Sequence, residues 1–185
     1  DETASGKATF TDIAGSAWYA AEVGYLEKYG IIGGYEDGTF RPDNSITRGA
    51  FAGILDRFLK FQSTSPAGTF SDLSGNYWED AILKLHASGV YLGNNGQALA
   101  GDTITRQQAV TMIARAFNIS GESATVYYLD ADQVADYAKP YLAEMSALGY
   151  ITDSSDGYFR PTDAITRAEI VTILDNMIEV LIQTS

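Results

Sequence analysis

The chain has 185 residues, of which 45% are hydrophobic and 19% charged, and it carries a formal charge of −12. That composition supports a buried core and argues against disorder. Twelve Lys and Arg against twenty-four Asp and Glu leave no basic footprint for nucleic acid, and no apolar run approaches the roughly 18 residues of a membrane span.

Residues Asp1 to Thr9 are polar and lack a basic-then-apolar signal pattern. Phe10 and Asp12 then open the first of three related stretches. A first helix is predicted from Trp18 to about Tyr29, with Trp18, Val23 and Leu26 as its apolar positions and Gly30 closing it. The loop Gly33-Gly34-Tyr35-Glu36-Asp37-Gly38-Thr39-Phe40-Arg41-Pro42 permits a tight turn but no continuous helix. A second helix follows Ile46-Thr47-Arg48, with Phe51, Ile54, Leu55 and Phe58 at i, i+3, i+4 and i+7 forming one apolar stripe.

A turn-prone linker, Gln62 to Gly68, precedes the second stretch. There Phe70, Asp72 and Trp78 (or Tyr77) lead to Ile82 with Leu85, then Gly89, then Ile104-Thr105-Arg106 and Ile113, Ala116, Phe117. Its loop is degraded to Asn94-Asn95-Gly96-Gln97-Ala98 and has no proline. Asn118 to Ser123 link it to the third stretch: Tyr128, Asp130, Tyr137, Leu142 with Met145, Gly149, Ser155-Asp156-Gly157-Tyr158-Phe159-Arg160-Pro161, Ile165-Thr166-Arg167, and Ile170, Ile173, Leu174, Met177. The boundaries are 1–62, 63–121 and 122–185, three repeats of one intimate domain.

Each repeat is thus a helix–loop–helix, and the fold class is all-α. One short helix pair cannot bury its own stripe, whereas three pairs can cover one another. The simplest closed arrangement is a pseudo-threefold, three-pronged single-chain bundle with the second helices at its centre. An open solenoid of three units leaves two exposed ends.

The Ile-Thr-Arg phrase sets each second helix. Thr166 is an N-cap with Glu169 completing a capping box, and Thr105 pairs likewise with Gln108. Thr47 caps without a box, because Ala50 cannot bond back. The arginine is not explained by capping. It occupies the first helical position, where the macrodipole is already positive. Two readings stand: an ion pair with an acidic neighbour such as the Asp of the Phe-x-Asp phrase, or an anion site joining guanidinium to free N–H groups.

In order, Phe-x-Asp, Trp, Gly-Ile-Ile-Gly-Gly, Asp-Gly-Thr-Phe-Arg-Pro and Thr-Arg-Ala-Glu resemble the S-layer homology family, and three such motifs cover about Phe10 to Leu181. The resemblance implies a non-catalytic module that anchors a surface protein to the cell wall. Its implied partner is an anionic secondary cell-wall polysaccharide bearing pyruvate ketals on N-acetylmannosamine, held in grooves between adjacent repeats. It implies an extracellular location at the cell wall or S-layer. By that resemblance Arg48, Arg106 and Arg167, with the neighbouring Thr47, Thr105 and Thr166, are the first candidates for gripping the pyruvyl carboxylate. Gly33, Gly34 and Gly93 would let backbone approach the sugar, and Trp18 and Trp78 would offer apolar contact.

The copies depart from the motif unequally. The first has Gly49-Ala50 for Ala-Glu, the second has Gln107-Gln108, and the third has Tyr137 for Trp and Thr152 near the place of Gly33 and Gly34. The three grooves are therefore expected to bind unequally.

The remaining features read as structural. Core packing is the default for Trp18 and Trp78 on apolar helical faces. Asp12, Asp72 and Asp130 are expected to cap the first helices or bond a turn. The loops around Asp37 and Asp153 to Gly157 lack the ligand set of a calcium loop. Without cysteine, and with His86 alone, neither disulfides nor a histidine-based metal site is expected. No carboxylate pair stands out as acid and base, so no enzyme activity and no cofactor are expected, and the chain is expected to be a monomer. The alternative is a structural self-association module that does not bind glycan.

Overall fold

The computed structural model describes residues 10–120, 125–151 and 155–183. The N-terminal stretch, the linker residues 121–123, Thr152, Asp153 and Ser154 named above lie outside them. The described residues are all-α. Helices α1 (Ala20–Lys28), α3 (Glu79–Ala87) and α5 (Lys139–Ala147) are the first helices of the three repeats. Helices α2 (Arg48–Leu59), α4 (Arg106–Ala116) and α6 (Arg167–Gln183) are the second ones. A single 3₁₀ turn, Ala131–Gln133, precedes α5, and only isolated β-bridges occur among the described residues.

The first helices are short and stop for the same reason. Gly30, Gly89 and Gly149 each have φ near +70°, at 68°, 72° and 76°, a left-handed conformation that favours glycine. Each turn is closed by the next residue's N–H reaching back, Ile31 to the Leu26 carbonyl at 3.0 Å, Val90 to Leu85 at 2.9 Å and Tyr150 to Met145 at 3.0 Å. The second helices start at their threonines. The Thr47 Oγ1 accepts from the Ala50 N–H, and Thr105 and Gln108 form a complete capping box. Thr166 and Glu169 form the same reciprocal pair.

Packing divides the chain into two compact units that cut across the repeats: Asp1–Ser45 with Thr166–Ser185, and Ile46–Ile165. In the first unit α6 packs on α1, burying Val23, Leu26, Phe40, Ile170 and Leu174. In the second, α2 packs on α3 and α4, and α4 packs on α5. Its core includes Phe51, Leu55, Ile82, Leu85, Tyr91, Ile104, Ile113 and Phe159, all almost fully buried. Each large apolar side chain buried in this way contributes about 1.5–3 kcal/mol.

The tryptophans correct the sequence register. α1 begins at Ala20, so Trp18 lies in the preceding turn and is 62% exposed rather than on a helical face. Trp78 is the residue before α3 and corresponds to Tyr19, while Trp18 corresponds to Tyr77 and Tyr137. The physical cause is unequal spacing between the opening aromatic and the residue before the helix, shortest from Phe70 to Trp78, one residue longer from Phe10 to Tyr19 and two longer from Tyr128 to Ala138. The Trp78 indole lies across α2, where a Cβ on Gly49 or Gly53 would overlap it. Gly49 therefore stands where the motif has alanine because an aromatic ring occupies the space. Gly53→Val is expected to cost about 1–3 kcal/mol by overpacking, seen as a fall in Tm of roughly 2–12 °C. The loss should shrink in a Trp78→Ala background.

Candidate functional site

The Phe-x-Asp carboxylates bond a turn, the second of the two structural roles expected for them. Asp12 accepts the N–H groups of Phe40 and Arg41 at 2.8 and 2.7 Å. Asp72 accepts those of Ala98 and Leu99 at 2.7 and 2.8 Å. Asp130 accepts those of Phe159 and Arg160 at 2.9 and 2.7 Å. The second residue of each pair is left-handed, with φ of 56° at Arg41, 55° at Leu99 and 58° at Arg160. Such a conformation costs a non-glycine residue about 1–3 kcal/mol, so it persists only where its surroundings enforce it. Burial works to raise the Asp12 and Asp72 carboxyls, but the paired N–H groups outweigh it and hold both below the ordinary aspartate value.

The clamped turn then positions the arginines. In each case the N–H of one turn residue goes to the aspartate, and its carbonyl accepts an arginine Nε from the second helix of another repeat. The Arg167 Nε donates to the Phe40 carbonyl at 2.9 Å, the Arg48 Nε to Ala98 at 3.3 Å and the Arg106 Nε to Phe159 at 2.8 Å. The helix backbone repeats the tie. The N–H of Arg48 donates to Asp102, that of Arg106 to Asp163 and that of Arg167 to Asn44, each to a carbonyl at 2.8–3.0 Å. The Phe-x-Asp carboxylates thus orient the arginines through the backbone.

The three guanidinium sites differ. Arg167 is 9% exposed. It lies over the rings of Phe40 and Tyr35 at 4.5 and 5.2 Å, and its Nη2 donates to the Gly33 carbonyl at 2.6 Å. Arg106 is half-buried over Phe159, 5.0 Å from the ring centroid. Burial, with the nearby Arg160, lowers its pKa. Arg48 is half-buried beside Tyr91, whose hydroxyl accepts from its Nε at 3.3 Å and donates to Ala98 at 2.6 Å. Here Tyr91 and Ala98 replace an Ile and Phe pair found in repeats one and three, so the ring reaches the same place from the other partner.

Arg48 faces a cavity of about 430 Å³, within the size range of small-ligand sites. Arg115, Gln108 and Asn94 give it polar walls, and Leu92, Met112 and Tyr137 give it apolar ones. Gln108, Thr111, Met112 and Arg115 lie on one face of α4 at i, i+3, i+4 and i+7. Among the described residues neither Arg48 nor Arg115 has a carboxylate within ion-pair distance, and both Nη groups of Arg48 lack a protein partner. Burial pushes the Tyr137 phenol up while Arg48 and Arg115 pull it down, which places the ring near both cations.

Of the residues singled out by sequence, Arg48 and Gly93 line this cavity and Thr47 caps the helix that carries Arg48. Thr105 and Thr166 cap the helices of the other two arginines. Gly34 and Gly93 have an internal reason to be glycine, since a Cβ would strike the Phe10 or Phe70 ring and the Thr39 or Gln97 carbonyl. Gly33 has open space beside it. Trp78 packs on α2, and Trp18 is exposed beside Tyr19 at 4.9 Å. Sequence reading missed Arg115, which reads as an ordinary cation in the last turn of its helix.

Residues 9–52 and 127–171 match the S-layer homology domain. Over 178 residues, 92% of the chain, it is 27% identical to an amylopullulanase of Thermoanaerobacterium thermosulfurigenes and spans 10% of that protein. It is 30% identical over 175 residues to the surface-layer 125 kDa protein of Lysinibacillus sphaericus, covering 92% of the chain and 15% of the relative. A cellulosome-anchoring protein of Acetivibrio thermocellus is 34% identical over 124 residues, 62% of the chain and 28% of that protein. The chain spans less than a third of each of these relatives.

Proposed function

Because the chain belongs to the S-layer homology family, we propose that it is a non-catalytic module holding a longer protein at the cell surface by gripping an anionic wall polysaccharide. The relatives support anchoring in a specific way. A segment similar to this chain makes up a tenth of an amylopullulanase and 15% of a surface-layer protein. Proteins with such different names share this segment and no named reaction, and a third relative is named a cellulosome-anchoring protein. The chemistry within the chain agrees with a binding role. Two half-buried cations converge on one cavity in a protein of charge −12, with no carboxylate of the described residues paired to either. That arrangement carries the reading, because a half-buried guanidinium left without an anion is poorly compensated until a ligand supplies one.

The anion best suited is a pyruvate ketal, a carboxylate beside a methyl group. The Nη groups of Arg48, with Arg115, take the carboxylate, and Met112 and Leu92 offer apolar surface to the methyl. Gln108 and Asn94 supply amides for sugar hydroxyls. The module then sits outside the cell, in the wall or S-layer.

The test is co-sedimentation with purified wall sacculi, before and after mild acid removes the pyruvate. Binding is expected to vanish with the pyruvate. Undiminished binding to the stripped wall would overturn the carboxylate assignment, and self-association without wall binding would favour a purely structural module.

A further inference from the structure

The loop of repeat two holds the chain's only Asn-Gly step, Asn95-Gly96. The two residues form the tip of a two-residue hairpin. The Asn94 N–H donates to the Gln97 carbonyl and the Gln97 N–H to that of Asn94, each at 2.9 Å. Asn95 and Gly96 have φ of 48° and 74°, the pair of left-handed conformations such a turn requires. We propose that Asn95 is a site of spontaneous deamidation, and that the carboxylate formed there weakens anion binding at the Arg48 cavity. The second half rests on the anchoring reading of that cavity.

The reaction needs only the hairpin tip and water. Asn95 and Gly96 are both exposed, and the Gly96 N–H donates to no described residue. Glycine puts no side chain beside that nitrogen. On losing its proton the Gly96 nitrogen attacks Cγ of Asn95. The new C–N bond closes a succinimide ring, the bond from Cγ to the amide nitrogen breaks, and that nitrogen leaves as ammonia, taking up the proton. Water then opens the ring at either carbonyl, giving aspartate or isoaspartate.

The position of Asn95 gives the product its effect. Asn95 aligns with Asp37 and Asp156, whose carboxylates pair with Arg41 and Arg160. Leu99 takes the place of those arginines in repeat two, so a carboxylate at residue 95 has no such cation to pair with. The adjacent Asn94 lines the cavity with Arg48 and Arg115, and Ala98, three residues on, holds the Arg48 Nε. A negative charge here competes with the ligand for the field of the same two cations. Isoaspartate also lengthens the main chain by one methylene, which a two-residue hairpin absorbs only by shifting Gln97 and the Ala98 clamp. The amide at residue 95 thus keeps the junction free of an unpaired carboxylate, and the anchor weakens as the protein ages.

Ageing the protein in mildly alkaline buffer tests this. Peptide mass spectrometry and enzymatic methylation of isoaspartate locate the product, and calorimetry with the methyl glycoside of pyruvylated N-acetylmannosamine reads binding. Conversion is expected at Asn95 ahead of every other asparagine, with affinity roughly fivefold weaker in the converted protein. Asn95→Asp should reproduce that loss without ageing. Asn95→Gly keeps the turn, since glycine accepts positive φ; it should bind as fresh protein does and lose nothing on ageing. Conversion at Asn95 no faster than elsewhere would overturn the first half. Full affinity in both the converted protein and Asn95→Asp would overturn the second. Failure of fresh protein to bind the sugar at all would overturn the anchoring reading and the second half with it, while the mass spectra still decide the first.

Discussion

Arg48→Ala is expected to weaken binding of the pyruvylated monosaccharide by roughly 100-fold, and Arg115→Ala by roughly tenfold. A hydrogen bond to a charged group contributes about 1.5–3 kcal/mol, and each 1.4 kcal/mol is a factor of ten. Arg48 offers both Nη groups to one carboxylate, which is why the larger effect is assigned to it. Its Nε remains tied to Ala98 and Tyr91, so the group is pre-positioned and little ordering cost remains at binding. Arg167→Ala should behave differently. That side chain is buried between two rings and bonded to the Phe40 and Gly33 carbonyls. Its loss should chiefly lower Tm. Calorimetry and thermal unfolding of the same variants separate the two effects. Equal affinity losses for Arg48→Ala and Arg167→Ala, with unchanged Tm in both, would contradict the ranking.

Asp72→Ala is expected to cost about 2–4 kcal/mol of stability, since it removes two charge-assisted hydrogen bonds. It also leaves Leu99 in a left-handed turn without the contact that enforces it. The Ala98 carbonyl then loses its fixed position, so Arg48 loses its anchor and glycan affinity falls as well, although Asp72 does not line the cavity. Asp72→Asn keeps one acceptor and should lie between. Denaturant unfolding and calorimetry read the two losses.

The same clamps set the acid response. The Asp12 and Asp72 carboxyls are held low in the folded state, and Asp37, bonded to Thr39 and Arg41, is lowered to about 2. A carboxyl depressed on folding adds stability above its unfolded pKa of about 3.9 and loses it as pH falls through the folded value. Stability should therefore stay level through neutral pH and fall below about pH 4. Asp72→Ala should make that fall shallower.

Periodicity and capping made the helices legible. The stripe Phe51, Ile54, Leu55 and the pairs Thr105–Gln108 and Thr166–Glu169 read in the sequence as they stand in the fold. Local patterns of this kind depend on neighbours three or four residues away. What was not legible depends on partners far along the chain. Unequal spacing ahead of the first helices left Trp78 and Tyr77 as alternatives for the place of Trp18, and the fold selects Tyr77. Gly49 read as a departure from the motif, and the fold shows an indole from another repeat lying across it and Gly53. The exchange of Tyr91 for an aliphatic residue and Ala98 for Phe conserves a ring's position through two changes seven residues apart. Arg115 near the end of α4 reads as an ordinary cation at a helix C-terminus. Only the fold shows it beside the Arg48 cavity.

The clamped turn also bears on how such an array diverges. Arg48 belongs to repeat one, but the turn that holds it and the cavity wall beside it come from repeat two. The Arg48 cavity is inherited as a junction. Changing the order of repeats, or grafting one from elsewhere, creates a new pairing of arginine and turn even when each repeat is copied intact. On the proposed reading, a change at Leu92, Asn94 or Leu99 of repeat two would alter what Arg48 of repeat one meets, with no change in repeat one itself.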